Sequence, residues 1–300
     1  MKYLLPNYER GDRYLKQIAK RAHRITYPIR IKSNIIETEN MLTFGYLGNV
    51  ARRARQCQRN SSLSPYCNVL IADHGFGPKH LRNNLYRLAI HDKNIRGIEL
   101  NNNQLLTNKI QDEIYSHLKY LQEDTNLRLT GQWLGETAKT IALLVEPAPV
   151  LVELQLEKRF DKSEYQKQVA QRAAQHNCCL FLSRKRVEIG LTEEGERKKT
   201  INNGAPEEIN KDQVAFAACP TSMIALDLIL KGIPVDLSPI HPLVDQLGLF
   251  IPSLTAQEAL ETVYETICRT TFCMRRVRKV EEIINQFEPL RAITQNSVKL

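Results

Sequence analysis

No apolar run in this 300-residue chain approaches the ~18 residues that a membrane-spanning helix needs; the run from Ile141 to Val145 stops at Glu146. The opening stretch, MKYLLPNYERGDRY, turns polar too early for a secretory leader. The seven cysteines, Cys57, Cys67, Cys178, Cys179, Cys219, Cys268 and Cys273, include no CxxC pair, and only Cys178 and Cys179 are neighbours. A structural zinc needs four ligands, usually offered as close pairs, so no metal site is expected. Scattered cysteines read instead as small buried hydrophobes in a reducing compartment, which predicts a cytoplasmic location. Internal repeats and low-complexity segments are absent. So are GxxxxGK[ST], a paired-histidine metal motif and GxSxG, which takes support from P-loop, zincin and hydrolase chemistry.

What remains is an ordinary globular composition, 42% hydrophobic and 25% charged, in a chain long enough for two domains. Its 42 Lys and Arg against 33 Asp and Glu leave a net charge of +9. That charge is concentrated at one end. Residues 1–150 hold 22 basic and 13 acidic side chains, whereas residues 151–300 hold 20 of each. The first hundred alone hold 18 against 7. A basic half fits an anionic partner, namely nucleic acid, a phosphate-rich polymer or a membrane surface. A solvated basic face that aids solubility is the alternative.

Hydrophobic patterning predicts an α/β protein. Tyr14 to His23 reads as a helix, and Ile25 to Ile31 and Met41 to Tyr46 as strands. Arg52, Arg53, Arg55 and Arg59 cluster around Cys57. Cys67 to Ala72 is a short apolar strand ending in Asp73-His74-Gly75-Phe76-Gly77-Pro78. Lys79 to Ile90 reads as a helix with Leu81, Leu85, Leu88 and Ala89 on one face, followed by a strand from Ile95 and a helix over Gln104 to Leu121. This alternation signals a parallel sheet with crossovers. The Glu146-Pro147-Ala148-Pro149 stretch is the expected interdomain crossing. Beyond it, Lys162 to His176 is a helix, Cys178 to Ser183 and Gln213 to Cys219 are strands, and Met223 to Leu230 is a helix. Thr255 and Glu258 form a capping box, and a last helix is expected from Phe272 to Phe287.

Two segments carry the chemistry. In residues 213–253 a buried strand ends in Thr221-Ser222, a helix begins, and Asp227 follows five residues after Ser222. Unpaired backbone N–H groups at a helix start, with hydroxyls beside them, suit a phosphate. A carboxylate further along accepts from ribose hydroxyls. In the second segment, His74 sits at the carboxyl end of a strand, where ligands bind in open α/β sheets. A histidine there suits general-base work at neutral pH. Lys79 would stand near phosphate oxygens as a point charge.

Thr221, Ser222, Asp227, Gly232, Pro234 and Val235 together resemble the nucleotide-binding region of GT-B glycosyltransferases, in particular the capsule-polysaccharide and teichoic-acid polymerase type. The match covers about forty residues, and Asp227 stands where a Glu is more frequent. His74 and Gly75, followed by Lys79, are similar to that type's His-Gly turn, with Lys79 one residue off the commoner spacing. The resemblance implies two Rossmann-like domains facing a cleft. Residues 1–145 would form a basic acceptor-side domain, 146–270 a nucleotide-sugar-binding domain, and 271–300 a helix crossing back. It implies a metal-independent glycosyl or sugar-phosphate transfer with a nucleotide-sugar as co-substrate and no cofactor. The acceptor would be anionic: a polysaccharide, a lipid-linked glycan or nucleic acid, reached from the cytoplasm or the membrane periphery. His74 would be the base. Thr221, Ser222, Asp227, Arg184 and His241 would hold the donor, and Lys79, Arg52 and Arg53 the acceptor or its phosphates. A nucleic-acid-binding protein is the alternative, as is a transferase acting on nucleic acid.

Overall fold

The computed structural model describes residues 3–4, 25–26, 40–44, 68–78, 81, 85–91, 95–97, 99, 106–134, 140–147, 161–184, 187–191, 197–201 and 206–273. The expected helix over residues 14–23, the basic cluster with Arg52 and Arg53, and Lys79 lie outside them. The first strands are β1 (Tyr3–Leu4), β2 (Ile25–Thr26), β3 (Asn40–Phe44), β4 (Asn68–His74), β5 (Leu85–His91) and β6 (Ile95–Gly97). Helix α1 (Asn108–Glu123) leads to β7 (Asn126–Leu129), β8 (Gly131–Leu134) and β9 (Ile141–Val145). Helix α2 (Lys162–Gln175) leads to β10 (Cys179–Ser183), β11 (Val187–Leu191), β12 (Arg197–Ile201), β13 (Glu207–Asn210) and β14 (Val214–Cys219). Then come α3 (Ile224–Leu230), β15 (Val235–Leu237), α4 (Val244–Leu247), β16 (Phe250–Ile251), α5 (Ala256–Thr270) and β17 (Thr271–Cys273). Packing divides the chain into two compact units, Met1–Ile114 with Ile267–Leu300, and Tyr115–Thr266.

The first unit is built on a mixed sheet in the order β17-β5-β4-β3-β1-β2, with β6 on β5. Strand β4 runs parallel to β3 but antiparallel to β5, placing His74 opposite Tyr86. This corrects the helix expected over Lys79 to Ile90. Leu85, Tyr86, Arg87, Leu88 and Ala89 are all buried, so both faces of β5 are covered. A strand covered on both sides shows no alternation, and its apolar spacing then mimics a helical stripe. The chain after His74 therefore returns as an antiparallel neighbour rather than through a helical crossover. Phe272, expected to open a helix, lies instead in β17, opposite Tyr86 on β5, with ring centroids 6.0 Å apart. Residues 274–287 lie outside the described part.

Gly75 and Gly77, in the turn after His74, stand where the chain itself comes too close for a side chain. A Cβ on Gly75 would lie 2.8 Å from Thr271 Cγ2, and one on Gly77 would lie 2.7 Å from Leu85 Cδ1. The Gly75 N–H donates to the Leu85 carbonyl at 2.8 Å, so the turn is closed by β5 and β17.

The second unit has a six-stranded sheet ordered β16-β15-β14-β9-β10-β8. The four inner strands are parallel, and the two edges are antiparallel. Strands β9 and β10 are buried at every residue, as central parallel strands are. The chain passes from β9 through α2 to β10 on one side, then from β14 through α3 to β15 on the other. Crossovers of one hand that travel in opposite directions lie on opposite faces, which makes this core doubly wound. On the α2 face, Ala142, Leu144, Leu180, Leu182, Phe216 and Ala218 pack with Val169 and Ala173. Strand β8 closes one edge through Gly131, where an added Cβ would stand 2.1 Å from the Leu182 carbonyl oxygen. Trp133 is half-buried on this strand, edge-on to Phe181 at 4.8 Å.

Candidate functional site at the carboxyl edge of the second sheet

Four parallel strands end on the same side, so the residues that follow them gather along one edge. Glu146 follows β9, Arg184 follows β10, Pro220-Thr221-Ser222 follows β14, and Ser238 follows β15. The direction of winding reverses between β9 and β14. Such a reversal leaves a crevice between the departing connections, and that is where open α/β sheets take ligands.

The Pro220–Ser222 turn is held from below. Ser238 Oγ donates to the Pro220 carbonyl at 2.7 Å. The Ser222 carbonyl receives the Ala225 N–H at 3.1 Å and lies 3.1 Å from both His241 Nε2 and Cys219 Sγ. His241 Nδ1 accepts from the Leu243 N–H at 3.1 Å, which leaves Nε2 as the protonated nitrogen facing Ser222. Burial pushes the Cys219 thiol up to about 12, so it stays protonated and donates. Ser222 Oγ accepts from the Ile224 N–H at 3.4 Å. Thr221 and Ser222 are half-buried at the crevice rim. His241, expected beside the donor sugar, has 0% exposure, so its ring supports the turn from behind.

Asp227 lies one turn into α3 among buried Ala225, Leu226, Leu228 and Ile229. Burial pushes its carboxyl up to about 6, and Lys231 pulls it partly back. Lys231 Nζ in turn donates to the Leu121 carbonyl at 3.1 Å and to the Asp124 carbonyl, which ties the end of α3 to the end of α1.

Arg184 bonds Glu146 through Nε, and Lys162 Nζ stands 2.9 Å from the other Glu146 oxygen. Neither Glu146 nor Lys162 was expected at the site. Glu146 was visible as the end of an apolar run and the start of the expected crossing but not as a site residue, because its partners lie 16 and 38 positions away in sequence. Beyond them, a cavity of about 510 Å³ opens between α2 and residues 236–240. Tyr165, Val169, Leu237 and Ile240 give it apolar walls, and Asp161, Arg172 and Asp236 give it charge. Arg172 pairs with Asp236 and lies over Phe216, its Cζ 4.3 Å from the ring centre. This size and mixture are typical of small-molecule sites.

His74 belongs to the first unit. Its ring stacks on Tyr86 at 5.7 Å, its carbonyl receives Arg87 Nε at 3.2 Å, and its N–H donates to Asp73 Oδ1 at 2.8 Å. Arg87 Nη2 closes this network on Asp73 Oδ2 at 3.0 Å. Tyr86 is fully buried and Arg87 nearly so, which fixes the backbone of His74 on two sides.

No family model matches the chain, and no curated protein matches it. Among solved structures it is similar to KpsC, a beta Kdo 2,4 transferase of Thermosulfurimonas dismutans. The two share 13% identity over 94% of this chain and 97% of that one, with a TM-score of 0.44. Within the described residues, no helix is long and apolar enough to cross a membrane.

Proposed function

We propose that the protein is a glycosyltransferase that takes a sugar from a nucleotide-sugar donor to an anionic acceptor. The observation that carries this reading is the convergence of Glu146, Arg184, Thr221, Ser222 and Ser238 at the winding reversal of a parallel sheet, beside a 510 Å³ cavity. The rim offers hydroxyls and a guanidinium to a diphosphate, and the cavity offers apolar walls and charged groups to the rest of the donor. Asp227 is the proposed acceptor of ribose hydroxyls, in its ionised form. His241 acts here through the Ser222 carbonyl, as a positioning residue rather than a donor contact. Positive groups at the leaving diphosphate stabilise the charge that develops as the glycosidic bond breaks. In this reading His74 takes the proton from the acceptor hydroxyl. Lys79, Arg52 and Arg53 contribute positive charge for an anionic acceptor.

Calorimetry with nucleoside diphosphates tests the donor side. Ser222→Ala and Asp227→Ala should each weaken binding roughly ten- to a hundred-fold, because one lost contact to a charged group costs ~1.5–3 kcal/mol. Unchanged affinity in both variants removes the proposed donor site. The basic first hundred residues, 18 positive against 7 negative side chains, favour one other reading, a nucleic-acid-binding protein. Oligonucleotides that bind with steep salt dependence while nucleotides do not bind would support it.

A further inference from the structure

The carboxylate of Glu146 is 4% exposed at the end of a central strand. Burying a carboxylate is unfavourable unless charge and hydrogen bonds compensate it closely. Here the compensation exceeds the need. Lys162 Nζ stands 2.9 Å from Oε1, Gln166 Nε2 donates to the same oxygen, and Arg184 Nε holds Oε2. One negative charge faces two positive ones, so the cluster carries a net +1.

The two cations are more open to solvent than the carboxylate between them. The Lys162 and Arg184 side chains are 36% and 34% exposed, against 4% for Glu146. Arg184 spends only Nε on the carboxylate. A guanidinium has four more N–H donors, on its two terminal nitrogens, and among the described residues none of them meets an acceptor. The cluster follows β9 and β10, adjacent parallel strands, and opens on the carboxyl edge where the winding reverses. Asp161 caps α2 by accepting from the Ser163 and Glu164 N–H groups at 2.9 and 3.0 Å, which holds Lys162 at the first helical position.

We propose that Lys162 and Arg184 form a two-point receptor for the diphosphate of the donor, held in geometry by Glu146 as a positioning residue. The buried carboxylate fixes the separation of the two cations. The outward guanidinium donors and the ammonium then bind oxygens of adjacent phosphoryl groups. A lone surface lysine and arginine would have to be ordered at each binding event, whereas these two are ordered beforehand. The assignment rests on the nucleotide-sugar reading for the identity of the diphosphate, but not for its own existence.

Removing a carboxylate from beside two cations raises the local positive charge. A purely electrostatic account therefore expects Glu146→Gln to bind anions more tightly. A positioning role expects the opposite. The test is calorimetry of the full chain with inorganic pyrophosphate and with nucleoside diphosphates, on the parent, Glu146→Gln and Lys162→Met. We expect Glu146→Gln and Lys162→Met each to lose about tenfold in pyrophosphate affinity, with a shallower salt dependence in Lys162→Met. Equal or tighter pyrophosphate binding by folded Glu146→Gln overturns the positioning role. If that variant does not fold, Lys162→Met decides: affinity equal to the parent's overturns the receptor. The two readings fail separately. Nucleoside diphosphates binding equally to parent and Lys162→Met would sink the receptor and leave the donor site standing. Pyrophosphate binding that depends on Lys162, without nucleotide binding, would sink the donor reading and leave the receptor. A parent that binds neither overturns both.

Discussion

Asp227 makes folding stability depend on pH through one partly buried carboxyl. Its folded-state pKa of about 6 lies above the ordinary 3.8, because burial disfavours the charged form. A raised carboxyl pKa stabilises the folded chain only while the group is protonated. That contribution is whole below about pH 4 and is lost as pH climbs through 6; at neutral pH the difference approaches ~3 kcal/mol as an upper bound. Asp227→Asn should therefore unfold at higher urea than the parent at pH 8, and at nearly the same urea at pH 4. A constant gap between the two chains at both pH values would reject the shift. The proposed ribose contact needs the ionised form, so nucleotide affinity should run the other way, rising from pH 5 to pH 7. His74 makes a second prediction at this scale. Replacement by Ala should cut turnover by ~100-fold or more while nucleotide affinity survives, since a general base contributes ~10²–10⁴. Near-parental turnover would pass the role to another side chain.

At the scale of elements, what could be read in advance follows local signals. The capping box is one: the Thr255 N–H and Oγ1 both donate to Glu258 Oε2, at 2.9 and 2.7 Å, and α5 starts at the next residue. The helix from Asn108 and the one from Lys162 have one wet face each, so their periods show. The strand–turn–helix from Val214 to Leu230 was legible too, because Pro220 and the small polar pair punctuate it. Strand β5 was not, being covered on both faces. Glu146 with Lys162 and Arg184, and Arg172 with Asp236, were also out of reach. Each pair is brought together by sheet order, which no local pattern encodes. Gly131 stands between these cases, since only the close β8–β10 approach shows why it is glycine. Gly131→Ala should cost roughly 2 kcal/mol or more, as steric strain against a neighbouring backbone does. Chemical denaturation measures it, and a loss below about half a kcal/mol would mean that β8 can shift away freely.

For the molecule as a whole, charge and architecture divide unequally. The net charge of +9 arises in residues 1–150, whereas residues 151–300 balance at zero. The doubly wound core with its convergent strand ends lies in Tyr115–Thr266. In the proposed function this division matches two tasks, small-molecule recognition at the parallel sheet and attraction of anions by the basic segment. Nucleotide binding at the carboxyl edge of the second sheet is the proposal on which the other roles depend. Thermal unfolding of the full chain with UDP, GDP, CDP, CMP and their sugars, beside a Thr221→Ala/Ser222→Ala double variant, tests it most directly, since a ligand that binds the folded state raises the midpoint by mass action. One nucleotide family should raise the midpoint of the parent, and the double variant, folded on its own, should lose most of that rise. Stabilisation by oligonucleotides alone, or by a nucleotide equally in both chains, would contradict it.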